Sequence, residues 1–205
     1  MRPASTLAAG ISLLCLLIAA VADAQETATA QPSPGRVALS GISPARFNPT
    51  HGTVFFTVSG AYFPADPRDV AVIIDDRQLP VSDLSVSRRI VSASYVAAPG
   101  ANTVTLRAWH ASGQVLTSTE TVWTGDLTLD IDVTDALGRP LDSGEVVASL
   151  SRDPSVSSTV QIREGRAEVV NLPDADIRIE AKHPSGLEAV AVVAARDRWA
   201  SLSLR

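Results

Sequence analysis

The chain holds a single cysteine, Cys15, and it lies inside an apolar N-terminal run. Once that run is removed no thiol is left. Disulfide staples, thiolate metal ligands and cysteine nucleophiles are thereby excluded, and an apolar core alone must hold the fold. Lysine is almost missing as well: Lys182 stands beside sixteen arginines. The formal net charge is −5 and the basic residues do not cluster, which excludes nucleic acid and anionic membrane surfaces as partners. After the N-terminal run, no stretch approaches the roughly 20 apolar residues of a membrane-spanning helix. Catalytic signatures are lacking too: there is no Gly-x-Ser-x-Gly, no His-Glu-x-x-His and no glycine-rich phosphate loop. His51, His110 and His183 are far apart and neighbour turn-like sequence, whereas a structural zinc site asks for four His or Cys ligands. Neither a cofactor nor an enzymatic activity is expected.

The most informative stretch that is present is residues 1–24. Arg2 supplies a positive charge, Leu7 to Ala20 is uncharged and apolar, and Ala22-Asp23-Ala24 puts small residues at a cleavage position before Gln25. This is the pattern of a cleaved signal peptide. It predicts an extracytoplasmic protein, periplasmic or secreted, and the Arg-, Ala- and Val-rich composition fits a GC-rich bacterial genome. The chain stops at Leu204-Arg205 within strand-like sequence, so no C-terminal anchor is expected. Residues 25–35, QETATAQPSPG, read as a flexible tether.

From Arg36 onward, short alternating segments are separated by turn residues, and no window carries helical spacing over three turns. Val54, Phe56 and Val58 alternate with Phe55, Thr57 and Ser59; Val70–Ile74 runs into the turn Asp75-Asp76-Arg77. Thr103–Trp109 and Val115–Trp123 flank Ala111-Ser112-Gly113 as a hairpin. Beyond Thr124-Gly125-Asp126, Leu127, Leu129, Ile131 and Val133 point one way while Thr128, Asp130, Asp132 and Thr134 point the other. Further strands are expected near Glu145–Leu150, Thr159–Arg163, Ala167–Asn171, Ile177–His183, Leu187–Ala194 and Trp199–Leu204. Residues 36–124 carry 7 basic and 6 acidic residues, against 9 and 14 in residues 125–205. The expected architecture is all-β, two tandem β-sandwich domains over residues 36–124 and 125–205.

Two resemblances refine this. Ile42-Ser43-Pro44, Gly52-Thr53, Thr57-Val58-Ser59-Gly60 and Tyr62-Phe63, with Pro99-Gly100 and Val104 later, resemble an IPT/TIG domain, which implies an immunoglobulin-like sandwich. Val133-x-Asp135-x-x-Gly138-x-Pro140, Gly144-x-Val146, Gly165, Asn171-Leu172-Pro173 and Ile177 are similar to carboxypeptidase regulatory-like domains, which implies a transthyretin-like sandwich. That family contributes an accessory unit without catalytic residues, so the resemblance implies binding, spacing or stabilisation.

Two sets of polar-face residues remain as candidates. Asp126, Asp130, Asp132 and Asp135 form an acidic set; Asp130 and Asp132 share a strand face and could offer oxygens to Ca²⁺. A solvated strand face paired with Arg178 or Lys182 is the favoured reading, since a Ca²⁺ site needs about six or more oxygens and no EF-hand-like loop supplies them. Trp109, Trp123 and Trp199 share the parity of Thr and Ser residues on their strands, where exposed indoles mark contact surfaces. Trp123, beside the joint, is expected at a seam, and Trp109 and Trp199 in a binding role. The expected partner is a protein or an envelope polysaccharide. The expected function is a non-catalytic exported interaction module, or a subunit of a surface assembly joined through edge strands, with Trp199–Leu204 as the candidate edge.

Overall fold

The computed structural model describes residues 36–59, 66–109 and 113–205. The expected signal peptide and tether, and His110, lie outside the described residues. The first part holds β1 (Arg36–Ser40), β2 (Phe47–Pro49), β3 (His51–Ser59), β4 (Val70–Ile74), β5 (Arg77–Gln78), β6 (Leu84–Ser87), β7 (Ile90–Val96), β8 (Gly100–Trp109) and β9 (Val115–Gly125). The second holds β10 (Leu127–Asp135), β11 (Glu145–Leu150), β12 (Ser157–Gln161), β13 (Arg166–Leu172), β14 (Asp176–Lys182), β15 (Glu188–Ala194) and β16 (Trp199–Leu204). Three short 3₁₀ turns are the helical content of the described residues. None of their helices is long and apolar enough to cross a membrane.

The protein is all-β. The sheet β1-β3-β7-β6 faces the sheet β2-β9-β8-β4-β5 across a core of Val54, Phe56, Val58, Val72, Val91 and Leu106. The sheet β13-β10-β16 faces β12-β11-β14-β15 across Leu129, Ile131, Val133, Val169, Ile177 and Ile179. Each of these side chains is fully or nearly fully buried, and each contributes roughly 1.5–3 kcal/mol by leaving water. The expected alternation holds: Val54, Phe56 and Val58 are buried while Phe55 and Thr57 are exposed.

Turn chemistry sets the strand ends. Asp75 and Asp76 have φ of 47° and 65° and join β4 to β5. Aspartate tolerates this left-handed conformation, which a two-residue hairpin turn needs at both positions. Glu164 and Gly165, with φ of 51° and 74°, make the same kind of turn between Arg163 and Arg166. β12 ends at Gln161 rather than at the expected Arg163, which bridges Arg166 across that turn instead.

All the described strands fall in one compact unit, and side chains near β2 join its two cores. Phe47, early in sequence, is buried in the core of the second sandwich. Buried Asn48 ties the segment together: its Nδ2 donates to the carbonyls of Ser43 at 2.8 Å, Arg46 at 2.8 Å and Trp123 at 3.1 Å. Its Oδ1 accepts the Ser43 N–H at 2.9 Å. The Ser157 N–H donates to the Ala45 carbonyl at 3.0 Å. Tyr95 donates its hydroxyl to the Pro49 carbonyl at 3.0 Å, and burial raises its pKa above the usual phenol value.

Candidate functional site

The central strand of the three-stranded sheet carries the site. Because Leu129, Ile131 and Val133 face the core, Asp130 and Asp132 face out. Register then decides their neighbours. Asp130 lies between Glu168 of β13 and Trp199 of β16; Asp132 lies between Arg166 and Ser201. The 3₁₀ turn Ala195–Asp197 feeds β16 into place: Ala195 is buried, Arg198 takes the left-handed conformation at φ 58°, and its carbonyl accepts the Asp130 N–H at 3.0 Å.

Trp199 is 57% exposed, the most exposed indole among the described residues. Its ring N–H donates to Asp132 Oδ2 at 3.1 Å, while Arg166 Nε stands 3.7 Å from Asp132 Oδ1. The hydrogen bond orients the indole along the rim of its strand, with most of the ring exposed. An open groove of about 690 Å³ runs beside it, lined by Asp130, Asp132, Gln161, Arg163, Arg166 and Glu168. Its lining holds no His, Cys, Ser or Lys. It offers an aromatic face, carboxylate acceptors and guanidinium donors.

Two expected features therefore meet at one place, since Trp199 and the Asp130–Asp132 pair share this face. The partners of the acidic pair differ from expectation. Arg178 and Lys182 lie on β14, in the opposite sheet, and Arg178 bonds Glu180 at 2.8 Å instead. Arg166 and Trp199 take their place because β10 pairs with β13 and β16. Asp135 belongs to a turn: its Oδ1 accepts the backbone N–H of Leu137 at 2.8 Å and of Arg139 at 2.9 Å, and its Oδ2 meets Arg139 Nη2 at 2.7 Å. The Arg139 backbone N–H, then its side chain, hold the Asp135 carboxyl below the usual carboxylate range. Asp126 is exposed between β9 and β10. Among the described residues no group of three or more His, Cys, Asp or Glu side chains is placed to hold a metal.

Trp109 ends β8 opposite Val115 and is exposed, away from the groove. Trp123 packs against the core of the second sandwich, at the expected seam. His51 is exposed at the start of β3. His183 stands between two hydroxyls, Ser143 Oγ at 3.3 Å from Nε2 and Ser185 Oγ at 2.7 Å from Nδ1. Among the described residues no carboxylate is hydrogen-bonded to its ring. Gln161, Arg163 and Arg166 are not legible in the sequence as site residues: register sets Arg166 opposite Asp132, while Gln161 reaches the groove from β12 of the other sheet.

No protein-family model matches the chain, and no curated protein matches it. Solved structures of loose similarity exist. The major pilin subunit of Bacillus cereus aligns at 10% identity over 85% of this chain and 70% of its own, with a TM-score of 0.32. The T6 backbone pilin of Streptococcus pyogenes aligns at 9% identity over 79% and 52%, with a TM-score of 0.34. The β-glucuronidase 3 of Bacteroides uniformis aligns at 15% identity over 81% and 25%, also with a TM-score of 0.34.

Proposed function

We propose that this chain is a non-catalytic interaction module of the bacterial cell envelope, exported by its N-terminal signal, which holds a protein partner on the outer face of the three-stranded sheet. One observation carries the reading: the largely exposed indole of Trp199, pinned by Asp132 above an open, polar groove. The exposed part of the indole supplies apolar contact area on docking, and its hydrogen bond to Asp132 lowers the ordering cost of binding. The mixed carboxylate and guanidinium rim supplies orientation and specificity rather than bulk affinity. Residues 36–124 and 125–205 would act as its two tandem domains.

The test is co-purification from native envelope extract. Trp199→Ala is expected to lower partner recovery several-fold with unchanged thermal stability, and Trp109→Ala to lower it less. Unchanged recovery with Trp199→Ala would overturn the reading; loss of recovery upon polysaccharide digestion would reassign the partner to a glycan.

A second reading, a structural subunit of a surface assembly joined by edge-strand pairing, is favoured by a different feature. The expected edge, β16, does end its sheet, but the residue that follows it is tied to β15: Glu188 and Arg205 exchange two backbone hydrogen bonds at 3.2 Å. The apolar edge left more open is β15.

A further inference from the structure

The outer face of the three-stranded sheet carries a repulsion that the fold leaves in place. Asp130 of β10 and Glu168 of β13 stand directly opposite each other, and both are exposed. The Asp130 N–H bonds to the Arg198 carbonyl on the β16 side, so Asp130 and Glu168 form a non-hydrogen-bonded pair of their ladder. Side chains come closest at such pairs, with Cβ atoms about 4.5–5.5 Å apart, and like charges there destabilise the sheet. No described residue bonds either carboxylate: Arg166, the nearest cation by register, is turned to Asp132. Trp199 completes the row. It lies beside Asp130 on β16, one strand spacing of about 4.8 Å away, with its indole 57% exposed. Glu168, Asp130 and Trp199 therefore set two free carboxylates and an aromatic ring side by side, all three lining the groove of about 690 Å³.

We infer that this row seats an arginine side chain of the protein partner. This rests on the groove reading above and names the chemistry of its occupant. A guanidinium between Asp130 and Glu168 cancels their repulsion. Its planar fork of donors serves two carboxylates at once, whereas an ammonium is a compact point charge. Bonded to Asp130, it lies beside the Trp199 ring, and a cation within about 6 Å of an indole centre is attracted to it. The seat is fixed along the strands as well. The neighbouring row is already neutralised by Arg166 and Asp132, and Arg163, bridged to Arg166, lines the groove at that end. Those two guanidiniums repel a cation there and leave the Asp130–Glu168 end to it.

The probe is the peptide acetyl-Gly-Arg-Gly-amide, titrated into the purified protein and read on the Trp199 indole N–H resonance, with the neutral isostere acetyl-Gly-citrulline-Gly-amide for comparison. The arginine peptide should shift that resonance saturably at millimolar concentration, less so in high salt. The citrulline peptide should leave it in place. Asp130→Asn combined with Glu168→Gln should weaken the arginine peptide several-fold. Glu168→Gln alone relieves a like-charge pair, so the unfolding temperature should hold or rise while arginine binding falls, a split that a merely structural carboxylate does not give. Equal shifts with the two peptides, or undiminished arginine binding in the double variant, overturn the proposal. Partner recovery from envelope extract keeps the two readings apart. Unchanged recovery with Trp199→Ala sinks the groove itself; recovery lost with Trp199→Ala but kept in the double variant leaves the groove standing and removes the arginine.

Discussion

Gly125 lies directly against the Leu172–Pro173 peptide: a Cβ built on it would stand 2.0 Å from the Leu172 carbonyl oxygen and 2.4 Å from the Pro173 nitrogen. Both neighbours are backbone, so neither can rotate aside. β9 ends at this glycine and β13 ends at Leu172. Only a residue without a side chain lets the two strands approach this closely. Gly125→Ala is expected to cost about 3 kcal/mol, the upper end for overpacking, read as a lowered unfolding midpoint in urea. A midpoint like that of the unaltered protein would show that the strands can separate freely here.

Phe47 precedes β3 in sequence yet fills space in the core built by β10 to β16. Phe47→Ala should leave a cavity and cost about 3–5 kcal/mol. Calorimetry on the full chain checks this. The further expectation is that a fragment of residues 125–205 unfolds at a lower temperature than the same residues in the full chain, since the fragment lacks this ring.

Asn48 answers three carbonyls and one N–H from a buried position. Asn48→Ala removes these four bonds from a buried side chain, at a cost of about 1–3 kcal/mol. Asn48→Asp should be no better, because it replaces the donating amide with a second acceptor facing the Ser43, Arg46 and Trp123 carbonyls. Urea denaturation of both variants measures the effect.

Asp135 gives an acid dependence of known sign. Its folded pKa is lowered, first by the Arg139 backbone N–H and then by the Arg139 side chain. A lowered carboxylate pKa contributes stability that is present above the unfolded value of about 3.9 and is lost as pH falls through the folded value. The difference in unfolding temperature between the unaltered protein and Asp135→Asn should therefore be largest near neutral pH. It should shrink on acidification below the ordinary carboxylate range. A gap that stays constant down to strongly acidic pH would show that the turn does not depend on the charge.

Much of the strand plan is legible in the amino-acid sequence, because a two-residue period maps directly onto inward and outward faces. Leu129, Ile131 and Val133 read as core and are core; Glu145–Leu150 and Trp199–Leu204 begin and end where expected. Turn residues are legible for the same local reason, as at Asp75 and Asp76, which make the expected turn after Ile74. The partners of Asp132 are not. Arg178 and Lys182 look as available as Arg166, since outward parity is shared by every strand of both sheets. Nor can local pattern foretell that Phe47 serves the second core, or that β15 and not β16 offers the more open apolar edge.

By itself, then, the sequence determined an all-β chain, its strand and turn positions and the outward placement of Asp130, Asp132 and Trp199, because backbone conformation and side-chain alternation are set by near neighbours. Only the tertiary structure decided that Trp199 donates to Asp132, that Arg166 flanks them, and that Val190 and Val192 sit on a strand that ends its sheet. Those facts depend on sheet order and register, which arise from pairing residues as far apart as Asp132 and Ser201. No short-range signal carries that information.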